Sequence, residues 1–212
     1  MEKIKIFFKI NWVHKILKIL KWAFLILVGL FIILVIGRGI YRFNQAKTDE
    51  QVIKIHNTKL TLDDVMGKNL PPDPGAEADK TVQGIDANNN GIRDDVELAV
   101  FKEYPNSAKT RAVLLQYALV LQMEVVQPMV NTVTATEVVR EQSRAFQCIG
   151  DTIPNREKQE SYEKLNSLIK FVKDKQFNTE KRKNARNTFL EEVRSYSDLD
   201  QACDIDYSKL PN

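Results

Sequence analysis

Apolar residues follow three different regimes along this chain. From Trp22 to Gly37 they run without interruption by charge, Trp-Ala-Phe-Leu-Ile-Leu-Val-Gly-Leu-Phe-Ile-Ile-Leu-Val-Ile-Gly. From Asp94 onward they recur every three or four positions, and between these two stretches neither pattern holds. The uncharged run is slightly shorter than the roughly 20 residues that cross a bilayer core as a helix. Ile16, Leu17, Ile19 and Leu20 extend its apolar surface, while Lys18, Lys21, Arg38 and Arg42 can snorkel their charges outward. The pattern therefore predicts a membrane-spanning helix over residues 17–37, preceded by a basic segment, 1–16.

The three- and four-residue spacing predicts an all-α domain over residues 94–212, a bundle of about five helices. The first is short, from Asp94 or Asp95 to Tyr104, with Val96, Ala99, Val100 and Phe101 inward and Pro105 as its stop. Asn106-Ser107 caps a long helix to about Gln127, in which Val113, Leu114, Tyr117, Ala118, Leu121 and Val125 form the stripe. Its near-continuous apolarity marks it as the central helix. A third helix, about residues 130–149, ends at Gly150 and offers Val138, Val139, Phe146 and Ile149 for burial. Pro154 and Asn155 open a fourth to about Lys175, with Tyr162, Leu165, Leu168, Ile169 and Val172 on one face. Asn178-Thr179 caps a fifth to about Ser195, with Ala185, Phe189, Leu190 and Val193 inward, and an acidic tail from Asp198 follows.

Residues 38–80 read as a linker. Tyr41 to Gly67 is weakly patterned, with a short helix or strand possible from Thr61 or Leu62. Leu70-Pro-Pro-Asp-Pro-Gly holds three prolines, which sustain neither helix nor central strand.

Residues 81–97 carry the candidate chemistry. In Asp86-Ala-Asn-Asn-Asn-Gly-Ile-Arg-Asp-Asp-Val-Glu97, oxygen-bearing side chains stand at loop positions 1, 3, 5, 9 and 12, with Gly91 at position 6. This stretch resembles the EF-hand-type calcium loop. More narrowly, Gly91-Ile-Arg-Asp-Asp-Val-Glu97 is similar to the Asp-rich bacterial repeats related to thrombospondin type 3. Together with its Pro-rich lead-in, the loop resembles part of a group of bacterial membrane-anchored envelope proteins of unknown function. The resemblance implies Ca²⁺ as the ion, with Asp86, Asn88, Asn90, Asp94 (through water) and Glu97 as side-chain ligands and Ile92 giving its carbonyl. It covers 12 of 212 residues. Arg93 stands where paired loops carry an apolar residue, no second loop exists, and Thr81-Val-Gln-Gly-Ile lacks the apolar period of an incoming helix. The competing reading is an Asn/Asp/Gly turn that caps its own backbone, followed by a helix N-capped by Asp94.

Charge divides the chain as sharply as hydropathy does. Residues 1–47 carry a net +8 and residues 48–212 a net −5. An acidic domain is a poor nucleic-acid binder, because that affinity comes mostly from neutralising phosphate. Lys181-Arg-Lys-Asn-Ala-Arg186 accordingly reads as the solvated face of a helix flanked by Glu180, Glu191 and Glu192. Lysines 3, 5, 9, 15, 18 and 21 precede the apolar run, so the positive-inside rule places the N-terminus in the cytoplasm and the bulk beyond the inner membrane. Residues 3–20 suit equally an amphipathic helix on the inner leaflet or a segment that only sets topology. A cleaved signal peptide is the alternative, but Arg38-Gly-Ile-Tyr-Arg-Phe-Asn offers no small-x-small cleavage site. Cys148 and Cys203 both lie on the translocated side and can pair there.

Catalytic signals are sparse. His14 and His56 both precede the helical domain, which removes Ser-His-Asp and Cys-His arrangements and a zinc site from it. Gln116, Gln122, Glu124 and Gln127 either line a cleft or form an exposed stripe on the central helix. The function that fits best is a protein-interaction or assembly module, tethered to the membrane and directed at a protein or cell-wall partner. The alternative is an envelope enzyme, a carboxylate-based hydrolase acting on wall polymer with calcium purely structural. The orientation has its own check: a reporter enzyme fused after Asn212 is expected to be active only in a translocated compartment, and activity in the cytoplasm would reverse the topology.

Overall fold

The computed structural model describes residues 2–128, 131–193 and 202–211. Within these the chain is helical, with no strand: α1 (Glu2–Asn57), α2 (Leu62–Met66), α3 (Asp94–Glu103), α4 (Ala108–Val126), α5 (Thr132–Asp151), α6 (Gln159–Gln176) and α7 (Glu180–Glu192), plus short 3₁₀ turns at Gly75–Asp79 and Tyr207–Lys209. Two compact units divide it, residues 1–47 and 48–212.

The first unit is helix alone. Trp22, Phe24, Leu27, Phe31, Ile33 and Leu34 are all exposed. Among the described residues this is the one helix long and apolar enough to cross a membrane. The helix does not stop near residue 37. Residues 38–57, expected as the start of a linker, continue α1 because no proline interrupts them and Gln, Ala, Lys and Glu are good helix formers. The last turns belong to the second unit, where Thr48 and Ile55 are buried two turns apart on one helical face.

In the second unit α4 is the axis. It packs against α2, α3, α5, α6 and α7, and Leu114, Leu115, Tyr117, Ala118, Leu119 and Leu121 are buried around its circumference. Ser107 caps its start by accepting from Thr110 N, and Thr179 does the same for α7 from Arg182 N. Thr61 and Asp64 form a reciprocal capping box on α2, so of the short helix and the strand left open there, the helix forms. Helix α6 begins at Gln159 rather than at Pro154, because Asn155 takes φ +54° and turns the chain first. Val96, Val100, Val138, Val139, Ile149, Leu168, Ile169, Val172 and Phe189 are buried as the spacing predicts, but Phe146, Tyr162 and Leu190 are exposed. The expected end of the last helix at Ser195 and the start of the acidic tail, 198–201, lie outside the described residues.

Of the four polar residues expected to line a cleft or form an exposed stripe on the central helix, only Gln127 at its end lines a surface cleft, and no exposed stripe forms. Gln116, Gln122 and Glu124 are buried and Gln127 half-buried, and each ties a neighbouring segment to the axis. Gln116 donates to Ala202 O (2.9 Å) and accepts from Asp204 N (3.0 Å). Gln122 donates to Gln83 O (2.7 Å), Glu124 accepts from Arg186 Nε (2.9 Å), and Gln127 donates to Gln51 Oε1 (2.6 Å). The run 181–186 is likewise only partly a solvated face, since Arg182 is fully buried.

Cys148 and Cys203 form a disulfide that fastens residues 202–211 to α5. Arg144 donates to Asp204 (3.1 Å), whose other oxygen accepts from Leu60 N (3.3 Å), so the tail also holds the chain between α1 and α2. Replacing both cysteines by serine is expected to lower the unfolding free energy by roughly 4 kcal/mol on the chain-entropy model. A denaturant midpoint in the variant, compared with the unreduced protein, measures the loss.

Candidate metal centre

The loop before α3 is shaped by two backbone positions in the left-handed region, Asn89 at φ +58° and Gly91 at φ +84°. Gly91 is required for a second reason, because a Cβ there would stand 2.7 Å from Leu119 Cδ1 on α4. The resulting turn directs the loop's own N–H groups at its side chains. Asp86 accepts from Asn90 N (3.1 Å) and Gly91 N (2.9 Å), and Asn90 Oδ1 accepts from Ile92 N (2.8 Å).

Glu97 lies in the first turn of α3 and is 1% exposed. Its Oε2 accepts from Asn88 Nδ2 and Asn90 Nδ2, both at 3.1 Å. Four of the six expected ligand residues are thus linked around one carboxylate: Asn88 and Asn90 directly, and Asp86 through Asn90. Ile92 is buried beside them. Asp94 is otherwise engaged. Both of its oxygens accept from Ala87 N (3.0 and 3.2 Å), and its own N–H donates to Ile85 O (2.8 Å), so it clasps the loop's two ends together. It does not act as the N-cap of α3, a position held by Arg93.

Burial pushes the Glu97 carboxyl up from an ordinary 4.5 to about 7, with Asp64 and Asp94 adding like charge and the Asn88 and Asn90 amides opposing. Asp94 is raised as well, first by burial and then by Asp86 and Asp95, against the Ala87 hydrogen bond. The donor chemistry fits a hard cation in charge: a buried carboxylate, with Asp86 and two amides beside it and only neutral hydrogen-bond donors on it. The amides face Glu97 with nitrogen, so serving as ligands requires Asn88 and Asn90 to turn about their Cβ–Cγ bonds. Among the described residues no three His, Cys, Asp or Glu side chains form a group that could hold a metal ion, so the three expected carboxylate ligands, Asp86, Asp94 and Glu97, are not gathered around one point.

Several participants carried no signal in the sequence. Asn69 O accepts a second hydrogen bond from Asn88 Nδ2 (2.9 Å), which docks the Pro-rich lead-in on the loop. Arg93, the residue at odds with a paired loop, is fully buried and bolts the loop to the end of α6. It donates to Gln176 O (3.1 Å), Lys175 O (2.7 Å) and both oxygens of Asp95 (2.5 and 2.9 Å). A cleft of about 700 Å³ opens beside the loop, between Asp86–Gly91, residues 54–61 and the second half of α4. Its two carboxylates, Asp64 and Asp86, are both hydrogen-bonded to nearby backbone.

Compared with family models, curated proteins and solved structures, the chain matches none.

The pH dependence of the metal-free protein follows from Glu97. With its folded pKa raised to about 7, the native state keeps a proton that the unfolded chain releases near 4.5. The stability that Glu97 contributes is therefore fully present below about pH 4.5 and is lost as pH rises through 7. In metal-free buffer the Tm is expected to be higher at pH 5 than at pH 7.5, and Glu97→Gln to flatten much of that slope. An equal slope in the variant would assign it to other groups.

Proposed function

We propose that this chain is a single-pass membrane protein of the cell envelope whose extracytoplasmic helical domain is stabilised by Ca²⁺ at residues 86–97 and serves as an interaction or assembly module. The observation that carries the reading is the burial of Glu97 among neutral donors, since a carboxylate out of water and away from any cation is costly. Asp86, Asn88, Asn90, Glu97 and the Ile92 carbonyl would hold the ion, which when bound supplies the positive charge that pocket lacks. Asp94 keeps the loop closed, and any part it takes in ligation would run through water. The exposed apolar helix supports the anchor, and the basic residues before it support a cytoplasmic N-terminus.

An interaction role is favoured over hydrolysis by the state of the cleft. Both of its carboxylates are tied to backbone groups, Asp64 to Thr61 N (2.8 Å) and Asp86 to Gly91 N (2.9 Å), which leaves no evident general acid and base pair. A structural ion also suits this fold better than a regulatory one, because the loop has no incoming helix for calcium to swing.

Calcium is expected to raise the Tm of the full-length chain in non-ionic detergent at pH 7.5, and Asp86→Ala or Glu97→Gln to remove that gain. Saturation at 100 times Kd would stabilise the fold by about 2.7 kcal/mol. A melt of the unsubstituted chain that does not move across millimolar calcium would dismiss the site.

A further inference from the structure

Asn90-Gly91 is the one Asn-Gly pair in the chain. Asparagine is thermolabile, and a following glycine, with no Cβ, leaves its backbone nitrogen least obstructed toward the side-chain carbonyl. The fold admits no other residue after Asn90. Gly91 has φ +84°, and a Cβ on it would stand 2.7 Å from Leu119 Cδ1 and 3.3 Å from Thr58 Cγ2. The loop also holds Asn90 in the matching posture. Its Oδ1 accepts from Ile92 N (2.8 Å), an Asx-turn that folds the side-chain carbonyl back over the Gly91 peptide. Its Nδ2 donates to Glu97 Oε2 (3.1 Å), and the Gly91 N–H donates to Asp86 Oδ2 (2.9 Å). Both residues are half-buried and line the cleft of about 700 Å³, which is open to solvent.

We propose that Asn90 is a self-modification site, at which the loop converts its own amide into a carboxylate. Gly91 N bonds to Asn90 Cγ, and the proton of that N–H, already polarised by Asp86, passes to water. Negative charge gathers on Oδ1, where the Ile92 N–H stands ready to donate. The Cγ–Nδ2 bond breaks, and the nitrogen leaves as ammonia with a proton returned from water. Water then opens the succinimide ring at either carbonyl, leaving aspartate or isoaspartate. One water is consumed and one ammonia released. The aspartate product sets a second carboxylate against Glu97 where an amide donor stood, and so adds a charged oxygen donor to the loop. That last consequence rests on the calcium site proposed above, whereas the conversion itself needs no ion.

The test incubates the full-length chain, purified in the cold, in non-ionic detergent at pH 7.5 with a chelator. Trypsin then releases residues 81–93, between Lys80 and Arg93. A synthetic peptide of the same residues is incubated alongside. Fragment mass spectra are expected to place the amide-to-acid gain at Asn90, accumulating about tenfold faster in the folded chain than in the peptide. Asn88, Asn89 and the Asn106-Ser107 and Asn166-Ser167 pairs should keep their amides over the same period. Asn90→Gln, whose longer side chain must close a larger ring, should gain nothing at that position, and its Tm shows whether the loop is still folded. An amide that survives in the folded chain while the peptide loses it, or a gain spread evenly over the asparagines, overturns the proposal. Calcium is read separately. Asn90→Asp should show a larger calcium-induced rise in Tm than the unsubstituted chain, and an equal rise would cut the link to calcium while leaving the conversion to stand on the mass spectra.

Discussion

A carboxylate removed from water must find a proton, a cation, or enough hydrogen bonds to offset its lost hydration. Glu97 meets that constraint with only two amide hydrogen bonds and the N-terminal end of the α3 dipole. Its placement follows from the core, because Val96 and Val100 on the same short helix are both buried against α4. Moving Glu97 outward would take those valines with it. The loop before α3 is thus built around a charge that the helix cannot give up. Protonation is one answer to that demand, and the cation proposed for residues 86–97 would be another.

The second constraint concerns backbone. Residues 80–93 belong to no helix, yet their carbonyls approach the core, where each needs a donor. Side chains supply those donors. Arg182 donates to Val82 O (3.0 Å), Thr81 O (3.1 Å) and Ala78 O, and also to the side chains of Asp79 (2.5 Å) and Asn178 (2.6 Å). Gln122 serves Gln83 O, while Arg93 serves the last carbonyls of α6. These buried guanidinium groups act as local substitutes for secondary structure, and they mount an irregular loop on a rigid bundle.

Much of this was legible in one dimension. Ser107, Thr179 and Pro105 punctuate the helices where they stand, α4 declares itself by apolarity on every face, and Gly91 marks a turn that only glycine tolerates against Leu119. The disulfide followed from two cysteines on one side of an apolar run. Other features depend on partners far away in sequence. The continuation of α1 is secured by Thr48 and Gln51, which meet Asn131 and Gln127. Arg182 looks like its neighbours in a basic run until the segment 78–82 is folded against it. Phe146, Tyr162 and Leu190 have the right spacing for burial, but periodicity specifies a face and not how far the next helix covers it. Asp94 sits in register with the positions expected to be ligands, although both of its oxygens accept from Ala87 N.

The full occupancy of Arg182 bears on how kin of this chain are to be recognised. Its three nitrogens meet five acceptors, and a lysine, with three donors on a single atom, could reach neither their number nor their spread. Exchange at that position would strand carbonyls in the interior, so descent with this architecture should keep the arginine while exposed lysines drift. An arginine four residues after an asparagine near the chain's end, paired with an aspartate seven residues ahead of an Asp-x-Asn-x-Asn-Gly stretch, is a pattern that overall identity would overlook. Such a fingerprint can trace distant cousins through sequence collections after the helices themselves have diverged beyond alignment.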